Sequence, residues 1–107
     1  MKQIYLTPWK DCLYAESREK ASPSLNNFIR ITPWVKWQQL RDINGKGRMQ
    51  WYIVVDTTAD TEKRLSVFAD YVCRMEGYEA VCKICPHDLN YEYMKYFPGY
   101  GNIHVVY

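Results

Sequence analysis

Apolar residues in this chain follow two periods, and the places where one gives way to the other predict its elements. Trp51-Tyr52-Ile53-Val54-Val55 is an unbroken run rich in β-branched and aromatic side chains, the pattern of a strand buried on both faces. After Asp56-Thr57-Thr58 the period lengthens. Leu65, Phe68, Ala69, Val72 and Met75 recur at helical spacing, which predicts a helix over 60–76, and Gly77 stands where a left-handed residue would end it. From Tyr78 to Cys85 a period of two returns. Tyr78, Ala80, Cys82 and Ile84 alternate with Glu79, Val81, Lys83 and Cys85, as in a strand with one face in a core.

Upstream, Ile4, Tyr5 and Leu6 predict a first strand within 2–7, closed by Pro8. Trp9, Cys12, Leu13 and Glu16 then share one side of a helix over 9–20, which Ala21-Ser22-Pro23-Ser24 ends. Phe28-Ile29-Arg30-Ile31 reads as a strand. Two readings of 33–43 stand, because Thr32-Pro33 could also open a helix through Trp34, Trp37 and Leu40. The Asn44-Gly45-Lys46-Gly47 turn signal ahead of the Trp51 run favours a strand leading into a hairpin. From Pro86 an appended segment places Leu89, Tyr93, Tyr96 and Phe97 at helical spacing before a last strand over 102–107. The order strand, helix, strand, hairpin, strand, helix, strand predicts a single α+β domain over 1–107. Its expected form is a ferredoxin-like (split βαβ) antiparallel sheet with two helices on one face and a C-terminal helix–strand extension.

Charge narrows the function classes. Fourteen basic against twelve acidic residues leave a net charge of +2, too even a balance for a protein held to nucleic acid mainly by its field. No apolar run approaches the ~20 residues that span a bilayer, and Met1-Lys2-Gln3-Ile4 enters a strand with no signal-peptide core. Cytoplasmic localisation without a membrane partner is therefore expected, with Cys12, Cys73, Cys82 and Cys85 reduced.

Candidate chemistry is sparse. Cys82, Cys85, His87 and His104 are zinc-ligand types, but Cys82 and Cys85 fall on opposite faces of a strand, so they are read as structural, with no metal and no cofactor expected. Asp56 ends the apolar strand, with Asp60, Glu62, Lys63 and Arg64 beside it. The succession Val54-Val55-Asp56, polar turn, Lys63-Arg64, amphipathic helix, Gly77-Tyr78, strand loosely resembles the ferredoxin-like endonuclease of CRISPR adaptation, although that family's strand lies at the N-terminus. The resemblance implies a metal-dependent nuclease with Asp56 as the metal-binding carboxylate. Asp60 and Glu62 also have a simpler reading, as a helix N-cap and a first-turn acid. Ile4-Tyr5-Leu6 and Lys46-Gly47 likewise resemble the starts of the two conserved strands of the RNA-recognition motif. The match departs at Pro8-Trp9 and at Arg48-Met49-Gln50, and what it implies is single-stranded RNA or DNA stacked on the sheet.

The departure from average composition lies in the aromatics: ten Tyr and four Trp against three Phe. Rings with a polar handle suit surfaces that another molecule will cover, and basic residues stand next to several of them. This favours a non-enzymatic binder, expected to contact its partner through Trp34, Lys36, Trp37, Arg48, Lys95, Tyr96 and Tyr100. The expected partner is a protein or ribonucleoprotein complex, with nucleic acid as the alternative and a homodimer compatible with the same surface. A small inhibitor or adaptor is the expected class, of the kind that phages and mobile elements direct against a host machine.

Overall fold

The computed structural model describes residues 2–9, 11–41 and 49–82. Within them are five strands, β1 (Gln3–Trp9), β2 (Cys12–Ser17), β3 (Val35–Arg41), β4 (Met49–Asp56) and β5 (Glu79–Cys82). Two helices, α1 (Pro23–Ile31) and α2 (Thr61–Ala69), accompany them, and α2 runs on into a π-helical segment, Asp70–Met75. The strands lie in the order β3-β4-β2-β1-β5. All neighbours are antiparallel except β1 and β5, which run parallel.

This order places the helices. β2 and β3 both oppose β4, which lies between them, so β2-α1-β3 is a split βαβ unit. β4 and β5 also point the same way, with β2 and β1 between them. The two crossovers travel in opposite directions along the sheet from strands of opposite sense, so right-handed connections put both helices on one face. The core agrees: Ile4, Leu6, Leu13, Ala15, Val35, Ile53, Val55 and Ala80 from one sheet face form a single cluster with Leu25 and Ile29 of α1 and Leu65, Phe68 and Ala69 of α2. Val72 of the π-helical segment joins them. The sheet is mixed, where a wholly antiparallel one was expected, because the α2 crossover delivers β5 alongside β1 in the same sense.

Two expected elements are exchanged. Residues 12–17, expected within a helix over 9–20, form β2, paired back on β1 from Trp9↔Cys12 to Ile4↔Ser17. Leu13 and Ala15 are fully buried while Cys12, Tyr14 and Glu16 face the other way, and burial on both sides between β1 and β4 outweighs a helical spacing only two turns long. β1 also runs through Pro8, past its last described pair with β5 at Leu6↔Cys82. Phe28–Ile31, expected as a strand, belongs to α1. Ser22 and Pro23 open that helix instead of closing an earlier one: the Ser22 hydroxyl accepts from the Leu25 amide at 3.0 Å, and Pro23 supplies a first-turn residue that needs no partner for an N–H. Thr32, ahead of Pro33, is extended and ends α1. Of the two readings of 33–43 the strand is present, as β3 paired with β4. The extension expected from Pro86 lies outside the described residues.

A clasp joins the two helical segments. The hydroxyls of Ser22 and Ser24 each donate to the Glu76 carboxylate at 2.5 Å, tying the start of α1 to the end of the π-helical segment. Burial pulls the Glu76 carboxyl upward, but hydrogen bonds from Ser22, Ser24 and Tyr71 and the charge of Lys2 outweigh it and hold the group below its ordinary range. Gly77 follows with φ of +80°, and the Tyr78 amide turns back to the Val72 carbonyl at 2.9 Å. That closure spans one residue more than the usual glycine-capped end, since the π turn is wider.

A Cβ at Gly77 would meet nothing within 4 Å, so substitution there tests backbone strain alone. Gly77→Ala is expected to cost ~1–2 kcal/mol in chemical denaturation, and Gly77→Asn less, because Asn tolerates the left-handed region better. Equal losses for the two variants would show that strain is not what the glycine relieves.

Candidate functional site: a two-tryptophan groove

Strand register decides which aromatics meet. In the β3–β4 pair Gln39 faces Trp51 and Trp37 faces Ile53, so Trp37 and Trp51 are diagonal neighbours on the face that carries the helices. They lie where β2 ends. Together with Ser17 and Glu19 they line an open groove of about 470 Å³. Trp37 is half-buried and packs against the core, its indole N–H donating to Asn26 Oδ1 of α1 at 3.0 Å. Trp51 is 57% exposed, an unusual position for so large an apolar side chain on a central strand. The Ser17 hydroxyl accepts from the Glu19 amide at 3.0 Å and thereby turns the chain at the groove's lip.

The other described rings are already engaged. Arg64 lies 5.8 Å from the Trp34 ring, Arg18 5.4 Å from Tyr5 and Lys2 4.5 Å from Tyr78. Phe28 and Tyr71 stack at 4.2 Å and 7°, each covering one face of the other, and both border a second groove between α1 and α2. Tyr14 and Tyr52 meet edge to face across the second sheet face, and Tyr52 is buried. A nucleobase therefore has no open ring at Tyr52 on which to stack.

The expected contact residues are not brought together as a set. Trp34 is half-buried against the core beneath Arg64, with its carbonyl accepting from the Asp56 amide at 2.9 Å. Lys36 and Trp37, adjacent in sequence, point to opposite faces of β3, Lys36 lying opposite Val54 on the second face. Arg48, Lys95, Tyr96 and Tyr100 lie outside the described residues, as do Cys85, His87 and His104. Trp51 and Glu19 were not among the expected contacts. The signal for Trp51 was the hairpin register centred on position 45, which folds Trp37 and Trp51 onto one face.

Asp56 has a structural environment. Its Oδ1 accepts from the Thr58 amide at 2.9 Å and the Thr58 hydroxyl at 2.6 Å, and its Oδ2 lies 3.5 Å from Arg64. The Thr58 bonds, chiefly, and the Arg64 charge hold this carboxyl below its ordinary range. Asp60 is at the N-cap position of α2, as expected, but its backbone is left-handed and its side chain makes no capping bond. The Thr61 hydroxyl donates to the Thr57 carbonyl instead. Among the described residues no group of three or more His, Cys, Asp or Glu is placed to hold a metal ion.

The thiols of Cys12 and Cys73 are free. Burial, reinforced by Asp70, pushes Cys73 up to about 11, and burial followed by the Asp56 charge raises Cys12. Both shifts favour the protonated thiol, the less nucleophilic form.

Among the described residues no helix is long and apolar enough to cross a membrane. Comparison with protein-family models, curated proteins and solved structures finds no match.

Because the Asp56 carboxyl is lowered in the folded chain, its stabilisation is complete above the ordinary value of 3.8 and is lost as pH falls through the folded value. Urea unfolding between about pH 2 and pH 7 should show stability declining along that acid limb. Asp56→Asn keeps an acceptor for Thr58 but carries no charge, so its decline should be shallower. Superimposable profiles would mean that the turn does not depend on the charge.

Proposed function

We propose that this chain is a non-enzymatic binding protein, a small cytoplasmic inhibitor or adaptor, that engages a protein or ribonucleoprotein partner through the Trp37/Trp51 groove. One observation carries this reading: Trp51 is held on a central strand, more than half exposed, beside a second indole fixed by Asn26. Leaving a large ring in water forgoes about 2–3 kcal/mol of burial. A partner that covers the ring recovers it, and a ring on a strand loses little conformational freedom when it does so. Tryptophan is enriched among residues that dominate binding energy for these reasons. The action of such proteins on a host machine, when phages or mobile elements encode them, is the biological setting this proposal adopts.

Capture from cell lysate, with and without nuclease, is the test. Wild type should retain a partner that contains protein, nuclease-resistant if it is protein alone, and Trp51→Ala should lose it by ~2 kcal/mol or more in affinity while its stability stays within ~0.5 kcal/mol of wild type. Met75→Ala, at an exposed site of the π-helical segment, should still bind. Phe68→Ala, in the core, should cost ~3–5 kcal/mol of stability and marks the contrasting outcome. A capture that contains nucleic acid and no protein, or one that Trp51→Ala retains in full, would overturn the proposal.

A further inference from the structure

We infer that the second face of the sheet is the docking surface for this chain's own C-terminal stretch, with Leu89, Tyr93, Tyr96 and Phe97 laid across it. The observation behind this is burial without a cover. Tyr52 (2% exposed), Val54 (3%) and Val81 (5%) alternate with Ile53, Val55 and Ala80 of the helix face, so they point to the other side of the sheet. Both helices and the π-helical segment send their buried side chains into the cluster on the first face. Among the described residues Arg18 does reach over the second face, but at Tyr5, two strands away from Tyr52 and Val54. Neighbouring strands shield the flanks of a side chain on a sheet and leave its end to water. Val81 has even less shelter, since among the described residues β5 is paired on one side only.

Register outlines the covered area. The pairs Tyr5↔Val81, Tyr5↔Glu16 and Tyr14↔Val54 put the three buried residues in adjacent rows that cross the sheet from β5 to β4. Exposed residues bound those rows: Gln3 and Glu79 at one end, and Lys36 beside Val54 on β3. The three interstrand steps from β5 to β4 measure about 14 Å. Leu89 to Phe97, at the helical spacing of their apolar positions, match that with a reach of about 12 Å. Where the chain goes decides the occupant. One copy of the chain buries these residues by itself, so no second molecule is required. Residues 42–48 return directly from Arg41 to its pair Met49 and hold one large apolar side chain, Ile43. Residues 83–107 start next to Val81 and carry the whole stripe. A face occupied in this way is closed to single-stranded nucleic acid, and Tyr96 leaves the set expected to meet a partner.

NMR on the full wild-type chain with labelled valine and leucine methyls tests this without relying on a variant that folds poorly. Nuclear Overhauser cross-peaks are expected from the Val54 and Val81 methyls to ring protons of Tyr93, Tyr96 or Phe97. Tyr93→Leu and Phe97→Leu each remove a ring but keep an apolar side chain. Between them they should move the Val54 or Val81 signals while those of Leu25 and Leu65, on the opposite face, stay in place. Cross-peaks that join labelled to unlabelled chains in a mixed sample would give the face to a second copy and overturn the inference. Cross-peaks to Ile43 in place of the rings, or none beyond the neighbouring strands, would also overturn it. The Trp37/Trp51 groove lies on the other face, so its binding role stands or falls separately.

Discussion

Everything in this fold depends on β2 lying between β1 and β4 with Leu13 and Ala15 sealed beneath the helices. On one side that six-residue strand completes a hairpin with β1, and through β1 it carries the parallel strand β5. On the other it pairs with β4 and so reaches β3. Remove it and two small sheets remain, neither broad enough to cover both α1 and α2. Leu13, among the largest fully buried side chains, and the small Ala15 beside it give Phe68, Leu65 and Val72 a continuous floor. Close packing of that kind gives a small domain most of its stability.

What could be read in the sequence followed the length of each pattern. β1, β4 and β5 were legible, as was the helical stretch from α2 to Gly77, because β-branched runs and a four-turn apolar stripe leave little choice of period. β2 was not, since Trp9, Cys12, Leu13 and Glu16 fit a helix as well as Leu13 and Ala15 fit a strand, and only a strand on either side resolves the tie. α1 was lost for a related reason. Ser22-Pro23 marks the start of a helix or the end of one, and its meaning depends on the residues placed before it.

The candidate site shows the same limit one level up. Trp37 stands out by residue type, but its sequence neighbour Lys36 is no companion in space, because adjacency along a strand sends side chains to opposite faces. Its spatial companion is Trp51, fourteen positions away by number and two strand positions away in register. Glu19 comes from a third stretch, brought to the groove by the turn after β2. A surface site assembled by pairing is invisible until the pairing is known.

The serine clasp on Glu76 has a consequence for motion. Ser22 and Glu76 are 54 positions apart, yet each end of the clasp is also a helix terminus, the part of a helix that ordinarily frays first. Opening one terminus deprives the other of its hydrogen bonds, so the amides that begin α1 and those that end the π-helical segment belong to one opening unit. Their protons should exchange with solvent in step, and the two crossovers of the sheet loosen together instead of one after the other.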